Sequence, residues 1–112
     1  YSNDQARQIR DVPTLVELYH GHRRRAFKQG RGPGWADRTF MDQCGREPNP
    51  SWCYGSLAGT RPTWDDQIAI KDYLFEHARG ANIGEWVIQE FEKEVGAGSW
   101  FRLAEYLKRV EG

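Results

Sequence analysis

Residues 51–79, SWCYGSLAGTRPTWDDQIAIKDYLFEHAR, decide the fold. The later part of this stretch has the marks of a helix. Thr63 is a good N-cap with Asp66 three residues on, and Asp65 and Asp66 put negative charge at the positive end of the helix dipole. His77 and Arg79 suit the opposite end, and Gly80 suits a stop. At 100° per residue, Trp64, Ile68, Ile70, Leu74, Phe75 and Ala78 fill one wide apolar arc. Lys71 falls inside that arc, where its stem can cover apolar surface while the ammonium reaches water. The earlier part alternates like a strand, with Trp52, Tyr54 and Ser56 on one side and Cys53, Gly55 and Leu57 on the other. No partner run is evident, so an edge strand, a hairpin arm and an extended loop stay open.

Toward the C-terminus the pattern stays helical. Asn82 and Glu85 mark a new start, and Ile83, Val87, Phe91 and Val95 form an i, i+4 stripe flanked by Trp86 and Ile88. Gly96 closes it. Ser99 is the expected cap of a last helix, with Trp100, Leu103, Ala104, Leu107 and Val110 inward and Lys108 and Arg109 near its end. A helix-turn-helix around Gly96 fits poorly. Arg102 and Glu105 stand where apolar residues are wanted, and the surrounding glutamates repel phosphates.

Toward the N-terminus, Ser2 to Gln5 reads as a capping box for a short helix with Ala6 and Ile9 on one face, ended by Pro13. Thr14 to Glu17 reads as a second box, followed by Leu15, Leu18, Tyr19, His22 and Ala26 at helical spacing. Leu15, Glu17 and Tyr19 also alternate, so a strand over Leu15–His20 competes; the box and the longer stripe favour helix. Gly30 to Gly34 is expected to be a loop. A helix then runs from Trp35, with Ala36, Phe40, Met41 and Cys44 on one face and Gly45 past its end. The close prolines of Arg46–Pro50 make another loop. The expectation is a single domain over residues 1–112. It is mainly α, or α+β with one or two short strands, built as a compact bundle of five to six short helices.

Composition narrows function by exclusion. The 112 residues carry 16 basic and 16 acidic side chains, and no run is apolar enough for a membrane span. Residues 1–56 hold nine Lys/Arg against six Asp/Glu, and residues 57–112 hold seven against ten. That asymmetry permits a local basic patch or two complementary surfaces. Cys44 and Cys53 fit reduced thiols in a cytoplasmic protein, the favoured setting, or one small disulfide in a secreted one. With His20 and His22 they lack the spacing of a structural zinc site, so no metal is expected, and no cofactor motif is present. Asp65-Asp66 reads as helix-start charge rather than as a catalytic pair.

The basic run Arg23, Arg24, Arg25, Lys28 and Arg31, beside a glycine loop, is the candidate anion or nucleic-acid contact. The favoured reading of the run is a solvated helix end that pairs with the acidic C-terminal half. Trp35, Trp52 and Trp86 are candidate protein-contact aromatics.

Two local resemblances bear on function. Leu18-Tyr19-His20-Gly21 resembles the L-Y-H-G-T element of mono-ADP-ribosyltransferases of the H-Y-E type. That resemblance implies a strand whose histidine, here His20, holds the nicotinamide ribose; residue 22 is His where that family prefers Thr or Ser. Trp52 to Phe75 is similar to a segment of small uncharacterised phage-encoded proteins, which implies a phage or mobile-element origin and assigns no catalytic residue. The reading favoured is a small non-catalytic binding or regulatory module acting on a protein partner. Nucleic-acid binding by Arg23–Arg31 and an ADP-ribosyltransferase-like enzyme using His20 are the alternatives.

Overall fold

A computed structural model of the chain describes residues 1–53 and 62–111. Among these residues six α-helices are packed together: α1 (Asn3–Arg7), α2 (Val12–Lys28), α3 (Pro33–Cys44), α4 (Trp64–His77), α5 (Ile83–Val95) and α6 (Ser99–Glu111). A 3-10 turn covers Pro50–Cys53. No strand occurs among the described residues, and their packed helices form the expected bundle. Trp52 therefore sits in a helical turn, not in the expected extended run. The rest of that alternating segment, residues 54–61, lies outside the described residues.

The helix ends follow local chemistry. Ser2 caps α1 in a reciprocal box with Gln5, as its sequence suggests, but α1 stops at Arg7, well before Pro13. Pro13 instead occupies the first turn of α2, where a missing N–H costs nothing. The cap of α2 is Asp11, whose carboxylate accepts from the Thr14 N–H and the Thr14 hydroxyl, so the expected Thr14–Glu17 box is displaced by three residues. The helical reading of Leu15–His20 holds. α3 begins at Pro33, two residues earlier than expected, with Gly32 as its N-cap. A Cβ on Gly32 would meet the Tyr73 hydroxyl at 2.9 Å, so that side-chain end would have to shift to admit a larger residue. Gly45 ends α3 at φ 71°, a left-handed conformation open to glycine. Thr63 and Asp66 form the expected reciprocal box on α4. Asn82 precedes α5 without a side-chain cap bond. Ser99 does not cap α6: it is the first helical residue, and its buried hydroxyl has no hydrogen-bond partner among the described residues.

Two cores stand side by side. The first gathers Ala6, Leu15, Tyr19, Ala26, Ala36, Phe40 and Cys44 from α1–α3, with Ile9, Leu18, Trp35 and Trp52 packed against it. The second gathers Phe27, Ile70, Leu74, Ala78, Val87, Phe91, Val95 and Leu103, with Trp100, Tyr106 and Leu107 among its flanks. Met41, expected inside, is 40% exposed. The second core is mostly α4–α6, yet Phe27 comes from α2. Adjacent residues Ala26 and Phe27 thus serve different cores, so α2 is the shared wall, and the organising role assigned to residues 51–79 belongs to it. The molecule is correspondingly elongated, 47 × 29 × 22 Å. Its radius of gyration is 14.8 Å, against about 13 Å for a compact chain of this length.

Candidate functional site

The basic run on α2 does not form one face. Arg23 turns inward and is 8% exposed. Its Nε and Nη2 donate to the two carboxylate oxygens of Glu94 on α5, each at 2.7 Å. Its Nη1 donates to the Tyr19 hydroxyl at 2.8 Å, and that hydroxyl donates to Asp37 on α3 at 2.6 Å. One buried chain of charge-assisted bonds therefore joins α2, α3 and α5. Burial opposes the charge on Arg23, but Glu94 outweighs it and raises the guanidinium above its ordinary value. Burial, with the bond to Asp37, pushes the Tyr19 phenol up to about 12.

Lys28, at the end of α2, binds Asp66 Oδ1 at 2.7 Å. The other Asp66 oxygen accepts the Thr63 N–H, so one carboxylate caps α4 and docks it on α2. Burial raises the Asp66 carboxyl; the bonds from Lys28 and Thr63 win and hold it below the usual range. The guanidinium of Arg31 lies over the Trp35 ring at 5.3 Å. Arg25 donates to His22 Nδ1. His22 must then carry its proton on Nε2, which donates to Gln43 Oε1 at 2.8 Å. Arg24 is half-buried. Both pairs that cross the molecule, Arg23–Glu94 and Lys28–Asp66, join a basic residue of the first half to an acidic residue of the second.

Leu18–Gly21 lies in the middle of α2, a helix where the transferase resemblance implies a strand. His20 is 2% exposed and donates from Nε2 to the Trp52 carbonyl. Burial holds it below the ordinary imidazole value, against the pull of Glu94 and of that carbonyl. His22 is lowered too, first by burial. Among the described residues no three His, Cys, Asp or Glu side chains converge as metal ligands would. No described helix is long and apolar enough to cross a membrane.

The three candidate tryptophans separate. Trp52 is half-buried against Tyr19 and Phe40. Trp35 is half-buried beneath Arg31, and Trp86 is 38% exposed. The sequence pattern missed the more exposed aromatics. Phe101 is 74% exposed and Phe75 45%, although Phe75 belongs to the expected buried arc. Phe75 touches Trp100, and Trp64 stacks on Tyr106 at 4.4 Å. Lys71 is half-buried and its ammonium binds Asp72 at 2.7 Å. A cavity of about 390 Å³ opens between the starts of α4 and α6, lined by Trp64, Gln67, Val95, Ser99 and Arg102 among others.

No protein-family model, no curated protein and no solved structure matches the chain.

Proposed function

We propose that the chain is a small non-catalytic binding module that acts through protein contacts, with its docking face on α4–α6. One observation carries this reading. Among the described residues, six of the nine large apolar side chains left exposed lie on these helices: Trp64, Phe75, Ile83, Trp86, Phe101 and Val110. Aromatic side chains of this kind are typical anchors of protein interfaces. Of the trio Trp35, Trp52 and Trp86, Trp86 lies on these helices, and Trp35 and Trp52 are half-buried in the first half of the chain. A phage or mobile-element origin, which the resemblance of Trp52–Phe75 implies, is part of this reading.

A nucleic-acid role for the Arg23–Arg31 run has less support, because Arg23 and Lys28 already have carboxylate partners. An ADP-ribosyltransferase role for His20 has less still, since its ring is sealed in a core.

The test is affinity capture from the native host with the intact chain and with a Phe75→Ser/Phe101→Ser variant of matched stability. Partners retained by the intact chain and lost by the variant support the face. An unchanged partner set rejects it.

A further inference from the structure

The arginines that the structure brings together are not those adjacent in sequence. Arg7 ends α1, Arg10 lies in the α1–α2 connection, and Arg46 follows α3. All three line one recess of about 420 Å³, whose remaining lining among the described residues is Cys44 and Gly45. Cys44 is buried at 3% exposure and Gly45 carries no side chain, so the described wall is basic.

Main-chain carbonyls hold these side chains in place. Arg46 Nη2 donates to the Ile9 carbonyl at 2.7 Å, and Arg10 Nη1 donates to the same oxygen at 3.2 Å and to the Arg7 carbonyl at 2.8 Å. Arg7 Nη2 reaches the Asp42 carbonyl at 3.4 Å, and its stem lies about 3.5 Å from where a Gly45 Cβ would stand. Two guanidinium nitrogens sharing one carbonyl lie within about 6 Å of each other, where like charges repel.

Among the described residues, no acidic side chain in the recess balances that charge, and none of the three arginines forms an ion pair. The carbonyl ends of α1 and α3 offset part of the charge; even a full-length helix end supplies only roughly half a unit. Each guanidinium has five N–H donors in a planar fork and uses only one terminal nitrogen on the main chain. The remaining donors suit a tetrahedral oxyanion.

We propose that the Arg7–Arg10–Arg46 recess binds the dianionic phosphoryl group of a phosphomonoester. A compact dianion fits better than a nucleic-acid backbone. A polymer would have to continue over neighbouring surface that carries exposed Asp42 and Glu47. This proposal uses α1 and α3 and does not rest on the contact face of α4–α6.

The probe is phenyl phosphate, titrated into the full chain and followed by amide chemical shifts and calorimetry. Saturable binding is expected, with shifts centred on Arg10, Gly45 and Arg46. Dimethyl phosphate, a monoanion, should bind about tenfold more weakly or less. Each of Arg7→Gln, Arg10→Gln and Arg46→Gln should weaken phenyl phosphate about tenfold, while Phe101→Ser leaves it unchanged. A phosphoserine peptide serves as the second arm. Equal affinity for both probes shows that the group alone is read, and tighter peptide binding shows a protein-borne source; both support the site. The wild-type titration stands alone should a variant fail to fold. Absence of shifts at Arg10, Gly45 and Arg46 with millimolar phenyl phosphate overturns the proposal. So does affinity unaffected by all three substitutions, or tighter binding of a single-stranded oligonucleotide at the same residues.

Discussion

The two cores accommodate polar groups in different ways. Around the first, α2 buries Tyr19, His20, His22 and Arg23, and each finds a partner across the packing. In the second, α5 contributes the stripe Val87, Phe91 and Val95; the buried Asp66, Gln67 and Glu94 are bonded, but Ser99 is buried with no partner for its hydroxyl among the described residues. The first region is held more by directional bonds between buried side chains of different helices. The second relies on apolar area, which is less selective about geometry. Its helices also leave more apolar surface in water, consistent with a region that can take a partner.

The largest test of this contrast is Glu94→Ala. It leaves Arg23 buried without its counter-charge and should cost about 3–5 kcal/mol in urea denaturation. A loss below about 1 kcal/mol, the scale of an exposed pair, would show that Arg23 reaches water and that the first region is less closed than its geometry implies.

In the second region the sign should reverse. Ser99→Ala removes a hydroxyl that is buried and unbonded, and should stabilise the fold by about 1 kcal/mol or more. A destabilised variant would reveal a partner for that hydroxyl and remove the contrast.

Acid should act on the first region. His20 and His22 are held below the ordinary imidazole value of 6.5 in the folded chain. Between that value and their folded values the unfolded chain binds more protons, so unfolding free energy falls as pH falls below about 6.5. Replacing both histidines by glutamine should flatten this part of the profile, read as thermal midpoint against pH.

The smallest effect expected is from Lys28→Ala. Its ammonium is half-exposed beside Asp66, so the loss should be slight and should vanish in high salt. A loss comparable to that of Glu94→Ala would make Lys28–Asp66 an equal joint between the two cores.

Much of the fold could be read from local chemistry, because helix starts and stops are written within a few residues. Thr63 with Asp66, Ser2 with Gln5 and Gly45 behave as their positions suggest. Asp11 was missed because the Thr14–Glu17 pattern looked like a box of its own; Pro13, which favours a first helical turn, was the available signal. The exposure of Phe75 and Phe101 was hidden for another reason. Periodicity gives an apolar arc, but tertiary packing decides how much of the arc is covered. The site chemistry was least legible. Arg23 and Glu94 are 71 residues apart, and Arg46 meets the Ile9 carbonyl across 37. The conspicuous run Arg23–Arg31 drew attention to charges that the fold disperses, while the convergent arginines were scattered along the chain.

Cys44 offers a way to time the molecule. Its thiol is 3% exposed, and burial raises its pKa, which reduces the reactive thiolate further. Alkylation must therefore wait for α3 to part from its neighbours. In a Cys53→Ser background, the labelling rate of Cys44 becomes a clock for opening of the first core, separate from global unfolding. An occupied arginine recess, with Cys44 in its wall, should slow that clock.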